Sequence, residues 1–159
     1  MDEKAVREHL ARLLGWEDAH AGFDAAVARV PPEVRGTRPA GLPHSPWELL
    51  EHLRVTQRDI LDFCRDPGYA APEWPADYWP ATPEPPSPGA WEASAAAFRA
   101  DREALTQLAL GPEPALMERI PHGSGQTYLR ELLLVADHNA YHLGQLVLVR
   151  RLLGAWPGA

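Results

Sequence analysis

The sequence has only one cysteine, Cys64, among 159 residues. That excludes an internal disulfide and every multi-cysteine metal site. Long apolar runs are missing too. The longest aliphatic stretch runs from Leu132 to Ala136, whereas a membrane-spanning helix needs roughly 20 apolar residues. Basic residues are scarce, 15 Lys and Arg against 22 Asp and Glu, for a net charge of −7. Such a surface is poorly suited to neutralising phosphates, so no nucleic-acid partner is expected. Sustained two-residue alternation of β-branched residues is absent, which leaves a sheet without support. No apolar stretch follows Met1-Asp2-Glu3-Lys4, so no secretory signal is expected. With 45% hydrophobic and 23% charged residues, the chain reads as one soluble, cytoplasmic domain over 1–159, with no membrane contact.

Proline, by contrast, is plentiful: 17 residues, about twice the usual share. Eight of them lie between Pro67 and Pro88, and the others gather at 31–46, at 112–121 and at Pro157. Four long segments are left free of proline. A helix-interior proline costs about 3 kcal/mol, so this distribution predicts four helices, near 2–30, 46–65, 88–110 and 127–153. Start and stop signals agree. Ser45-Pro46-Trp47-Glu48 reads as a capping box with proline at the first helical position. Ser87-Pro88 repeats the cap-and-proline pattern, Thr127 can cap the last helix, and Gly154 with Pro157 can end it. Helical spacing supplies apolar stripes: Val6, Leu10, Leu13 and Leu14; Leu49, Leu53, Ile60 and Phe63; Leu132, Leu143, Leu146 and Val147. The third segment is alanine-rich with a thin apolar face. Tyr69, Trp74, Tyr78 and Trp79 punctuate the prolines of 67–88, which predicts an ordered crossover packed on the helices. The fold expected is an all-α four-helix bundle with a long Pro/Trp-rich crossover between helices 2 and 3.

Of the seven histidines, His138 and His142 stand out within Asp137-His138-Asn139-Ala140-Tyr141-His142. Residues four apart share a helical face about 6 Å apart, so two imidazoles can reach one metal. An isolated HxxxH pair is more often two solvated or core histidines. This one lies in a helix rich in Leu and Val, where unliganded rings would need partners for four nitrogens. His52, one turn beyond the second helix's cap, is the best third ligand. A three-histidine site suits zinc, nickel or ferrous iron and leaves positions open, and the sequence does not choose among these metals. His20 shares a stripe with Leu13, Glu17, Asp24 and Val27 and is a candidate cavity lining. His44 and His122, in loops beside helix starts, are candidates for orienting a substrate, and Tyr141 for offering a hydroxyl. Asp137 and Glu48 can accept a ligand's free N–H. Cys64 reads as an inert buried thiol, and Trp74, Trp79 and Trp91 as packing or pocket walls.

The chain resembles the DinB/YfiT-like family of metal-dependent bundle proteins over nearly its full length. The resemblance is carried by Trp16-Glu17-Asp18-Ala19-His20, by Pro43-His44-Ser45-Pro46-Trp47 leading to His52, by the Trp/Pro-rich crossover, and by Gly125-Gln126-Thr127. Most specific is Asp137-His138-Asn139-Ala140-Tyr141-His142-Leu143-Gly144-Gln145. The resemblance implies an up-up-down-down bundle, a divalent metal held by His52, His138 and His142, and a homodimer. It also implies transferase or isomerase chemistry with a low-molecular-weight thiol.

Three functions follow as expectations. The first is a thiol transferase or isomerase, whose metal holds a small thiol as thiolate for attack on an electrophile. In a hydrolase, the alternative, the metal would lower the pKa of a bound water, and a carboxylate base near the metal would help. The last is a non-catalytic metal- or ligand-binding protein, which a fourth protein ligand would favour by closing the site. A small thiol and an electrophilic substrate are the expected partners.

Overall fold

A computed structural model describes residues 2–157. Met1, Gly158 and Ala159, the ends of the expected single-domain span, lie outside the described residues. The helices are α1 (Glu3–Leu13), α2 (Phe23–Val27), α3 (Pro46–Arg65), α4 (Ala90–Leu110) and α5 (Tyr128–Leu152), with short 3-10 turns at Pro32–Val34 and Ala76–Tyr78. Among the described residues there is no strand, only an isolated bridge between Arg119 and Thr127. None of these helices is long and apolar enough to cross a membrane.

Local chemistry explains the best-defined ends. The Ser45 hydroxyl accepts the Glu48 N–H at 3.2 Å, and the Glu48 carboxylate accepts the Ser45 N–H at 2.8 Å. Both halves of the capping box are therefore made. Thr127 caps α5 by accepting the Arg130 N–H at 3.2 Å. Gly154, at φ +66°, turns the chain out of α5, as a left-handed glycine after a helix does.

Two expected elements differ. The single helix expected near 2–30 ends at Leu13, and the chain re-forms only the short α2 after Gly22. Gly15 and Gly22, each costing about 1 kcal/mol in a helix interior, break a segment that lacks proline but not helix breakers. Ser87 does not cap α4: the helix begins at Ala90 behind Gly89, which makes no side-chain cap.

The direction of each helix follows from its neighbours. Trp47, Leu49, Leu50 and Leu53 of α3 pack with Trp91, Ala95 and Phe98 of α4 and with Leu143, Leu146 and Val149 of α5. Ile60, Leu61 and Cys64 pack with Leu105 and Ala109 and with Leu132 and Val135. Hence α3 and α4 run parallel and α5 opposes both. Arg7 in α1 donates to the carbonyls of Ala109, Gly111 and Pro114 at the end of α4, while Leu13 and Leu14 share a cleft with Phe98 and Asn139. So α1 runs against α4. The order is up-down-down-up, which corrects the up-up-down-down arrangement that the resemblance implied. A parallel α3–α4 pair obliges the chain from 66 to 89 to return along the bundle, about 30 Å for a helix of this length.

That return segment is pinned. The hydroxyls of Tyr69 and Tyr78 each donate to a different oxygen of Asp59, both at 2.7 Å. The apolar core itself comes in two clusters. Along α3 and α5 the residues between them are polar: Gln57 and Asn139, 0% and 6% exposed. On α5, Leu133, Tyr141, Leu148 and Leu152 remain exposed.

Candidate metal centre

His52, fully inside on α3, meets His138 and His142 from α5 because the antiparallel pair brings the first third of α3 beside the middle of α5. Their candidate ligand atoms all lie within 4.8 Å of one another. The Nε2 atoms converge: His52 to His142 is 3.2 Å and His138 to His52 is 3.1 Å.

Behind the rings, the Nδ1 atoms have their own partners. The Tyr78 carbonyl, which can only accept, lies 2.8 Å from His52 Nδ1. Gln145 Oε1 lies 2.8 Å from His142 Nδ1. Both rings therefore carry their proton on Nδ1 and present a bare Nε2 lone pair inward. His138 Nδ1 is buried with no partner. Lone pairs facing one another at these distances repel, and a cation or a proton between them relieves that. Desolvation pushes His52 and His138 down from 6.5 to about 4, with the neighbouring histidines adding to the shift. Burial lowers His142 as well. At neutral pH the rings stay neutral, which is the form that ligates metal. The donor set fits a divalent cation, as three neutral imidazoles with second-nitrogen hydrogen bonds do elsewhere.

The crossover covers this centre. The Trp79 indole stacks on His52, ring centroids 3.9 Å apart, and its other face carries the His44 ring at 4.0 Å. Tyr141, 65% exposed, sets its ring edge-on to His142 at 4.9 Å.

A family model for the DinB superfamily matches residues 16–146. The chain belongs to the DinB superfamily. No curated protein and no solved structure matches it significantly. The superfamily's bundle here brings together His52, His138 and His142, with His44 and Tyr141 at the margin.

The remaining candidates lie elsewhere. His20 is exposed, its Nδ1 3.1 Å from the Ala21 carbonyl, and lines a separate cleft with Trp16, Phe23 and Asn139. The broken first helix removes the stripe on which it was placed. His122 is also exposed, with Nε2 2.8 Å from the Phe63 carbonyl near the far end of α3. Glu48 is buried but occupied: burial opposes its charge, yet Arg38 and Ser45 hold the carboxyl below its usual range. Asp137 is exposed on α5 and bonds no histidine among the described residues. Neither acid accepts a ligand's N–H; the Tyr78 carbonyl and Gln145 do. Cys64 is buried and its thiol is pushed up to about 12 by burial, with Glu131 adding to the effect, as expected of an inert thiol. Of the three tryptophans, only Trp79 reaches the centre. Trp91 is buried in the core and Trp74 is 70% exposed.

Gln145, three residues beyond His142, was visible in the motif as a helical neighbour on the same face. The Tyr78 carbonyl carries no sequence signal, because any residue would supply it.

Proposed function

We propose that this DinB-superfamily chain is a divalent-metal-dependent enzyme that joins a small thiol to a small electrophile at His52, His138 and His142. The observation that carries this reading is the inward convergence of the Nε2 atoms while the Tyr78 carbonyl and Gln145 occupy two of the Nδ1 atoms. A cation held there supplies the positive charge that favours the deprotonated form of a thiol, whose free pKa is about 8.5. The chain's own residues do the rest. Tyr78 and Gln145 hold two rings in one tautomer, and Trp79 shields His52 from water. Tyr141 offers a hydroxyl beside His142.

Thiol transfer is favoured over hydrolysis because no carboxylate joins the cluster among the described residues. Glu48 is bound to Arg38 and Asp137 faces outward. Catalysis is favoured over a closed structural site because, among the described residues, three protein ligands gather there and no fourth, which leaves a position open. Zinc, nickel and iron(II) all suit three imidazoles.

We place the enzyme in the cytoplasm, and as a homodimer. The alanine-rich α4 is already packed by both α1 and α3. Among the exposed large apolar residues, Leu133, Tyr141, Leu148 and Leu152 gather on α5. A helix apolar on both sides is one that expects a second neighbour.

The deciding experiment is turnover of untagged, zinc-, nickel- or iron-loaded protein with several small thiols and a panel of electrophiles. Product that needs both metal and thiol supports the proposal. Metal-dependent hydrolysis without thiol replaces it with the hydrolase.

A further inference from the structure

Two buried polar atoms on neighbouring residues of α5 lack partners: His138 Nδ1 and Asn139 Oδ1. They are complementary. Beside its converging Nε2, His138 can carry its proton on Nδ1 as a donor, and Asn139 Oδ1 can only accept.

The amide's orientation is fixed from a distance. The Phe98 backbone carbonyl accepts from Gln57 Nε2 at 2.7 Å, and a carbonyl cannot donate. Gln57 must therefore turn its Oε1 toward α5, where it accepts from Asn139 Nδ2 at 2.9 Å. Asn139 is left with Oδ1 as its free end. Gln57 is 0% exposed and Asn139 6%, so bulk water does not compete for these groups. The Asn139 amide also lies close enough to bear on the His138 ring, where it favours the protonated ring against the burial that disfavours it.

We infer that Asn139 is a positioning residue, which fixes His138 as its Nδ1–H tautomer by accepting that N–H on Oδ1. The chain Phe98 carbonyl, Gln57, Asn139, His138 then completes a set of three. His52 is held by the Tyr78 carbonyl, His142 by Gln145 and His138 by Asn139, and every Nε2 is left bare toward the centre. Without Asn139, His138 is free to take the Nε2–H tautomer, which points a proton at the place where a metal would bind. The inference rests on the three-histidine site and is independent of thiol transfer.

The test uses the full chain. Long-range proton–nitrogen NMR of the metal-free, 15N-labelled protein reads which His138 nitrogen carries the proton. Zinc affinity is read by competition with a chromogenic chelator. Wild type is expected to show His138 protonated on Nδ1. Asn139→Leu should move proton density to Nε2 and weaken zinc about 10–100-fold, the usual effect of losing such a partner. Asn139→Asp keeps an acceptor for His138 but loses the donor to Gln57, so it should lower the metal-free melting temperature while keeping the Nδ1–H tautomer and near-wild-type zinc affinity. A purely structural Asn139 would make the aspartate as damaging to zinc binding as the leucine. The inference is overturned if wild-type His138 is protonated on Nε2, if Asn139→Leu binds zinc normally, or if Asn139→Asp binds zinc as weakly as Asn139→Leu. Should the leucine variant fail to fold, the wild-type spectrum and the aspartate variant still decide. If zinc does not bind wild type at all, the metal-site reading falls, and the wild-type tautomer alone judges Asn139.

Discussion

The indole of Trp79 lies parallel to the imidazole of His52, with planes 3° apart and centroids separated by 3.9 Å. A residue of the crossover thus shields a candidate ligand, and His52 owes part of its desolvation to it. Trp79→Ala should let the His52 pKa rise from about 4 toward 6.5, as followed by NMR titration of the metal-free protein. Losing two stacks worth about 0.5–1.5 kcal/mol each should also lower the melting temperature by roughly 2–12 °C. An unchanged His52 titration would show that Trp79 does not shield the ring.

His142→Ala removes one of three ligands and leaves α5 otherwise intact. Elemental analysis should show stoichiometric metal in wild type and none in the variant. Metal at 100 times its dissociation constant stabilises a folded protein by about 2.7 kcal/mol, so calorimetry should show a metal-dependent rise in melting temperature for wild type only. Full occupancy in the variant would refute the assignment.

Acid should destabilise the metal-free protein early. His52 and His138 are held at about 4 in the folded state, against 6.5 ordinarily. Between those values the unfolded chain binds protons that the folded chain refuses. Stability is therefore fully present above 6.5 and is lost as pH falls toward 4. Melting temperature should fall as pH is lowered through that window, and less steeply in His52→Gln. Equal slopes in the two proteins would contradict the shift.

Arg150, 0% exposed, donates to the carbonyls of Ala25 and Ala26 in α2 and twice to that of Ala155. Arg150→Met leaves those acceptors unmatched, at a cost of roughly 3 kcal/mol. A fall in melting temperature of about 6–12 °C with unchanged zinc stoichiometry is expected. A milder fall would mean that water replaces the guanidinium.

Light scattering should give the mass of two chains for wild type at micromolar concentration. Leu148→Glu, which places a charge on the exposed face of α5, should give the mass of one. A dimer that survives this change uses another surface.

Much of the architecture was legible because it rests on local chemistry. Ser45, Pro46 and Glu48 announce the start of α3, and Thr127 that of α5, since a cap involves only residues a few positions apart. The shared face of His138 and His142 is equally local. The break after Leu13 was written in Gly15 and Gly22 but masked by the absence of proline. Helix direction was not legible, because it depends on which apolar stripes meet across the bundle. Nor was the Gln57–Asn139 bond, whose partners are far apart in sequence, or the Tyr78 carbonyl, which belongs to the backbone. Asp137 drew attention by standing next to His138, yet it lies on the exposed side of α5.

The parallel course of α3 and α4 has a consequence for how such a site can be altered. Because the chain must travel back between Arg65 and Ala90, it passes over the histidines as a strap, anchored at Asp59 and resting on His52. The strap contributes little to the two apolar clusters, since of its residues Trp79 alone packs against them. Apart from Tyr69, Tyr78 and Trp79, which anchor it at Asp59 and His52, its length and side chains can therefore be exchanged while the helices keep their register and the ligands their positions. The bundle is the chassis and the strap an interchangeable cover, so what gains entry can be retuned without rebuilding what holds the metal.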